Sequence, residues 1–172
     1  SIGLFYPFLK DKEVKMVGVE AGGTAIKRGK HAARFASTDG KIGVVEGFKS
    51  IFLQDSDGNV LPTHSISAGL DYAGVGPEHA WLHDQNRVRY TYAMDNEVLA
   101  ALNLVAKLEG LIPALESAHA LAETIKLAPK LKNDQIIVVN ISGRGDKDIF
   151  IIAEALKDRK WKDFIKEKAK DL

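Results

Sequence analysis

The sequence predicts an α/β fold, a mostly parallel sheet flanked by helices, and three observations predict it. The first is the stretch Gln135 to Asp148. There Ile136, Ile137, Val138, Val139 and Ile141 form a β-branched run expected of a strand buried on both faces. The run stops at Ser142-Gly143-Arg144-Gly145-Asp146, where two glycines two apart permit positive φ and a close backbone approach to a ligand. Asp146 is placed to cap a helix starting near Lys147 and carrying Ile149, Phe150, Ile151, Ile152, Ala155 and Leu156. The second observation is a helix followed by a strand at the start of the chain, half of a βαβ unit whose preceding strand is absent. The third is a β-rich segment, Val88 to Ala93, running into two helical repeats.

In chain order, Ser1 is a candidate N-cap, and Ile2, Leu4, Phe5, Phe8 and Leu9 make one apolar face, with Pro7 tolerated in the first turns. Lys15 to Glu20 reads as a strand closed by Ala21-Gly22-Gly23. Two strand-like runs follow, Ile42 to Val45 and Ser50 to Gln54, and Asp55-Ser56-Asp57-Gly58 is a hairpin-type turn. Asp55, Asp57 and Asn59 alternate as in a calcium loop, but isoleucine at position 66 stands where the glutamate ligand is required, which favours a turn. Thr63 to Pro77 is a long irregular segment with hydroxyls and one carboxylate, a length more often functional than not. A short helix begins at Pro77. Asp95 is expected to cap a helix that Gly110 ends. Leu111 to Leu115 is a strand or extended link, and a second helix runs from about Ser117 to Leu127. Beyond the organising strand and its helix, a charged tail from Asp158 to Leu172 places Trp161, Phe164, Ile165 and Ala169 at helical spacing, a peripheral docked helix.

At 172 residues the chain can build one domain with a real core. A formal charge of +1, from 24 basic and 23 acidic residues, gives no sign of a nucleic-acid or acidic-membrane partner. Without cysteine there are no disulfides, thiolate zinc sites or cysteine nucleophiles. No apolar run reaches the ~18 residues of a spanning helix, so the cytoplasm is the default compartment. The chain opens on an apolar element with no initiator methionine, and a fragment is expected.

Glu116, His119 and Glu123 share one helical face, at i, i+3 and i+7, a spacing that suits either a metal or an ordinary polar face. His64, His79 and His83 lack ligand spacing. The sequence holds no nucleophile elbow, phosphate loop or dinucleotide fingerprint. Arg144-Gly145-Asp146 spells an adhesion tripeptide, but adhesion needs an exposed flexible loop, and three-residue motifs recur by chance. The polar groups at element tips are Asp71, Glu116 and Ser142, with glycine turns at Gly69 and Gly143. By itself the Ser142 turn reads equally as a ligand site or as a plain strand-to-helix turn.

Glu109-Gly110-Leu111-Ile112-Pro113-Ala114-Leu115-Glu116-Ser117-Ala118-His119-Ala120 resembles the signature Glu-Gly-Ile-Ile-Pro-Ala-Leu-Glu-Ser-x-His-Ala of the tryptophan synthase β chains. Asn140 to Asp148 resembles that family's Asn-Leu-Ser-Gly-Arg-Gly-Asp-Lys-Asp, and Thr63 to Pro77 resembles its Ser-Ile-Ser-x-Gly-Leu-Asp-Tyr-x-x-Val-Gly-Pro loop. Ser1-Ile2-Gly3 falls where the family continues from its phosphate cup into a helix. The resemblance implies the C-terminal portion of a fold-type II enzyme. With pyridoxal 5'-phosphate (PLP) as cofactor, such an enzyme condenses L-serine with indole to L-tryptophan and water. Residues 1–157 would belong to the cofactor-binding domain and 158–172 to a peripheral helix.

Carried over residue by residue, Ser142 matches the serine that hydrogen-bonds the cofactor's pyridine nitrogen. Glu116 matches the active-site glutamate, suited to a proton or charge role. Asp71 matches the loop aspartate that responds to substrate serine, and Gly69 matches the glycine beside the cofactor ring. Gly143 belongs to the same cofactor-side turn. The implied partners are the N-terminal half of the β chain, the tryptophan synthase α subunit and a second β chain. The family's cofactor-binding lysine, in His-Lys-x-Asn, has no counterpart here, so the isolated 172 residues are expected to be inactive. A non-catalytic chain acting by assembly, and another fold-type II enzyme of serine or threonine, are the alternatives. Glu46 stands where the family usually carries an aromatic residue or histidine near its indole tunnel, so the dryness of that passage hangs on where the carboxylate points.

Overall fold

In the computed structural model, which describes residues 1–170, the sheet forms where the sequence puts its β-branched and aromatic residues flanked by glycine. Strand β1 (Met16–Gly23) pairs in parallel with β2 (Val88–Met94), in a register running from Met16 opposite Val88 to Ala21 opposite Ala93. Gly18 is required by that pairing, because a Cβ there would lie 2.5 Å from the Tyr90 ring. Period-2 alternation sends the two strands' side chains to opposite faces. Met16 and Val88 join Phe5 and Leu82 on one face, and Ala93, with Val19 against it, joins the larger core on the other.

Helices cover both faces. On the Met16 side lie α1 (Ile2–Phe5), tightened by a 3₁₀ turn at Tyr6–Phe8, and α2 (Pro77–Asp84). On the other side α3 (Asp95–Glu109) and α4 (Leu115–Leu127) supply Val98, Ala101, Leu102, Leu115, Ala118, Leu121 and Ala122 to the core. Ile152 of α5 (Ile149–Ala155) completes it. This is the α/β class expected: a parallel sheet flanked by helices. An antiparallel hairpin stands apart from that sheet, β3 (Gly40–Val45) and β4 (Phe48–Leu53), turning through Glu46 and Gly47 at φ 51° and 85°. Positive φ at both turn residues matches the twist of a two-residue hairpin. At the hairpin's far end Asp55 accepts from the N–H groups of Asp57 and Asn59, so the acidic alternation is a turn.

Three expectations need correction. The run Ile136 to Ile141 is extended but pairs with no strand among the described residues, and it is not buried on both faces: Ile136 is 88% and Val138 71% exposed. β-branching fixes the extended conformation locally, whereas a strand also needs a partner, and neither β1 nor β2 pairs with this run. Val139 alone of the run packs on the larger core. Asp146 caps no helix; a 3₁₀ turn spans Asp146–Asp148 before α5, and the Asp146 carboxylate lies 3.5 Å from Arg144. Asp95 is the first residue of α3 rather than its cap. Glu97 accepts from the Met94 N–H, which frees Asp95 to receive the Ile66 N–H and to pair with His64 at 3.0 Å.

Gly110 ends α3 at φ 68°, and Leu111 to Ala114 is a link rather than a strand. The tail forms α6 (Arg159–Lys168), capped by Asp158, which accepts from the Trp161 N–H at 2.7 Å. Trp161 lies 5.6 Å from the Phe150 ring. Asp171 and Leu172, the end of the expected tail, lie outside the described residues. No helix among the described residues is long and apolar enough to cross a membrane.

Candidate active site

Three chain segments meet at the N-terminal end of α4. Proline at position 113 and the extended backbone of Ala114 start the helix abruptly, and the Leu115 N–H donates to the buried Asp148 carboxylate at 2.9 Å. The next two residues, half-buried Glu116 and buried Ser117, then reach other segments from a fixed first turn. Glu116 accepts the Gly69 N–H at 3.0 Å, which draws in the irregular 63–77 loop where it forms a 3₁₀ turn at Ala68–Leu70. A Cβ on Gly69 would sit 2.5 Å from the Glu116 carboxylate, so glycine is needed for this approach. Ser117 reaches the third segment: its hydroxyl donates to the Ser142 carbonyl at 2.8 Å and accepts the Ser142 N–H at 3.0 Å. Gly69, Glu116 and Ser142 are thereby brought together, while Asp71, two residues beyond Gly69, lies exposed at a cleft bordered by His64, Ile66, Asp95 and Ile151.

The glycines of the Ser142 turn have separate reasons. Gly143 adopts φ 75°, where a side chain is strained, although there is room for one. Gly145 does not take positive φ; a Cβ there would strike the Ile112 and Pro113 carbonyls. It is buried against that link, which leaves the Arg144-Gly145-Asp146 turn pinned rather than free.

Electrostatics decides what Glu116 can do. Its partial burial favours the neutral acid, but the Lys147 ammonium at 2.9 Å and the N–H groups of Gly69 and Glu116 itself outweigh this and bring its pKa down to about 2. Lys147 also holds Asp148 at 2.7 Å, and the two carboxylates raise its pKa against the effect of burial. Glu116 is a fixed negative charge at neutral pH. Its stabilising contribution is complete above about 4.5 and is lost as pH falls toward 2.

The metal arrangement does not assemble. His119 is 1% exposed and turns into the core, its Nδ1–H donating to the Leu115 carbonyl at 2.8 Å, and burial lowers its pKa. Glu123, two turns beyond Glu116, pairs with Arg89 of β2 at 2.8 Å. His64, His79 and His83 have three different surroundings, Asp95, Tyr90 and the Phe35 ring.

No protein-family model matches the chain. The tryptophan synthase beta chain 1 of Chlamydia caviae is 57% identical to it over 160 residues, which is 93% of this chain and 38% of that relative. The chain is a relative of the tryptophan synthase β chains. It spans about two fifths of the length of that curated relative.

Against the tryptophan synthase β motifs, sequence reasoning located Gly69, Glu116 and Ser142 but missed what holds them. Lys147 is expected only to start a helix, yet the 3₁₀ turn at Asp146–Asp148 carries its ammonium back to Glu116. Asp148 and Ser117 were not singled out, although both lie inside the two motifs and each binds backbone of another segment. Glu46 points to the 63–77 loop and accepts the Tyr72 hydroxyl at 2.9 Å. Ser117→Ala removes both partners of the Ser142 peptide groups and is expected to destabilise the protein by about 1–3 kcal/mol. A urea midpoint unchanged from the parent would remove Ser117 as the anchor.

Proposed function

We propose that this chain forms part of a tryptophan synthase β active site, in which PLP-dependent β-replacement joins L-serine to indole. The observation that carries the reading is the junction at the start of α4, where Glu116 and Ser117 bind Gly69 and Ser142 and so bring the three segments that carry the family motifs to one place. The residues present fit the cofactor. Ser142 is exposed, its backbone is fixed at both ends, and its hydroxyl has no partner among the described residues. Gly69 lies against the Glu116 carboxylate, where a side chain would not fit.

PLP, when bound, supplies the electron sink for replacing the serine hydroxyl. The chain's own groups supply placement. The Ser142 hydroxyl would meet the pyridine nitrogen without the charge needed to hold that nitrogen protonated, which limits electron withdrawal and favours replacement at Cβ over transamination. Gly143 lets the chain turn away below it. Glu116, a fixed negative charge, would stand near the cofactor's phenolic edge, and Asp71 would meet the substrate serine from the loop. In this reading residues 1–157 belong to the cofactor-binding domain and α6 lies at its periphery. The cofactor-binding lysine, the rest of the β chain, an α subunit and a second β chain are the partners this reading requires.

The test uses the full-length chain that carries these residues. Ser142→Asp should increase protonation of the cofactor nitrogen, shift its visible absorption and slow tryptophan formation relative to side reactions. Unchanged spectrum and product ratio would remove Ser142 from the cofactor. A parent protein that neither takes up PLP nor forms tryptophan would overturn the whole reading in favour of a non-catalytic partner chain.

A further inference from the structure

Tyr72 is held at both ends. Its carbonyl accepts from Arg34 Nη1 at 2.7 Å, its N–H donates to the Leu70 carbonyl at 2.9 Å, and its hydroxyl donates to Glu46 at 2.9 Å. The lower attachment is rigid, because Arg34 is buried and paired with buried Glu20 at 2.9 Å. The upper one joins two exposed side chains across a gap between separate parts of the chain, the loop and the tip of the β3–β4 hairpin. The parts below the tip are already stitched. Leu53 donates to the Ala73 carbonyl, Val75 to the Ile51 carbonyl, and a Cβ on Gly74 would lie 2.5 Å from the Phe52 ring.

Glu46 occupies φ 51° as the first residue of the two-residue hairpin turn, and from there its carboxylate reaches Tyr72. The residue immediately before Tyr72 is Asp71, whose carboxylate has no partner among the described residues. With the main chain at Tyr72 fixed from beneath, closing the hydroxyl on Glu46 also fixes the ring of the residue next to Asp71.

We propose that Tyr72 is a positioning residue that latches the Asp71 loop to the β3–β4 hairpin through Glu46, so that the hairpin tip sets the pose in which Asp71 meets an amino-acid substrate. This rests on the reading of Asp71 as the substrate-facing carboxylate. The latch stands on geometry alone, and the two parts can fail separately.

The experiment uses the full-length chain loaded with PLP and three variants, Tyr72→Phe, Glu46→Ala and Glu46→Gln, with the double variant Y72F/E46A. Amide hydrogen exchange over residues 44–48 and 69–73 reads the latch. Both segments should exchange about three- to tenfold faster in Y72F and E46A, with no further gain in the double variant. E46Q, whose amide oxygen still accepts, should restore parent exchange. The KM for serine should rise by a similar factor in Y72F and E46A, with kcat held within about twofold, because orientation of substrate rather than chemistry is lost. Unchanged exchange in Y72F, or a double variant that sums the two singles, overturns the latch. Faster exchange with unchanged KM overturns the part that reaches substrate and counts against Asp71 as its contact.

Discussion

Replacing Arg34 by methionine is expected to cost about 3–5 kcal/mol of stability, the usual penalty for stranding one charge of a buried pair. Arg34 and Glu20 have side chains 8% and 5% exposed, and Glu20, besides its ion pair with the guanidinium at 2.9 Å, accepts the N–H groups of Arg34 and Phe35. Burial already raises the Glu20 pKa, against the pull of Arg34 and those two N–H groups. Without Arg34 that carboxyl has to take up a proton or drag water inward. A carboxyl whose folded pKa lies above its unfolded value is most stable where it is protonated. The deficit in R34M should therefore shrink as pH is lowered and grow as it rises. Denaturant midpoints of the full-length chain at two pH values measure this. The double change E20Q/R34M removes both charges and should recover a large part of the loss. If R34M unfolds at the parent midpoint at neutral pH, the pair does not hold β1 to the 63–77 loop as described.

Glu116→Ala should lower tryptophan formation at least tenfold, a barrier increase of about 1.4 kcal/mol or more, while PLP stays bound. The fold tolerates the change because Lys147 keeps its contact with Asp148 and Asp148 keeps the Leu115 N–H, so the start of α4 stays in place. What disappears is one fixed negative charge and the acceptor for Gly69. Lys147→Ala tests the same point from the other side: with its ammonium gone, the Glu116 pKa should climb from about 2 toward the ordinary carboxylate range, and the acid limb of the pH–rate profile should move up with it. Parent turnover in E116A would end the assignment of Glu116.

The sequence made legible what is decided locally. The repeat from about Ser117 to Leu127 marked α4, which begins two residues earlier at Leu115, and the family motif put Glu116 at its start; the small residues and hydroxyls of 63–77 marked the loop; Gly110 marked the end of α3. Family motifs put Gly69 and Ser142 on the page before any distance did. What remained hidden was decided by competition or by distance along the chain. Asp95 and Asp146 look like caps, but one was claimed by Ile66 and His64 and the other by Arg144. The β-branched run 136–141 announced an extended backbone and said nothing of a neighbour to pair with. Lys147 and Glu116 are 31 residues apart, and no periodicity connects them. Glu46 read as an anomaly because its partner, Tyr72, is contributed by another element.

That run has a bearing on how the chain behaves in solution. Ile136-Ile137-Val138-Val139-Asn140-Ile141 is short, β-branched, uncharged and free of proline, the composition that lets copies of a segment stack against one another. With Ile136 and Val138 turned outward and unpaired backbone beside them, it is a sticky seam. Gatekeeping falls to the charges upstream of it, Lys130, Lys132 and Asp134. In a preparation of these residues alone, colloidal loss through this seam would compete with every other reaction of the molecule, and the more so the higher its concentration.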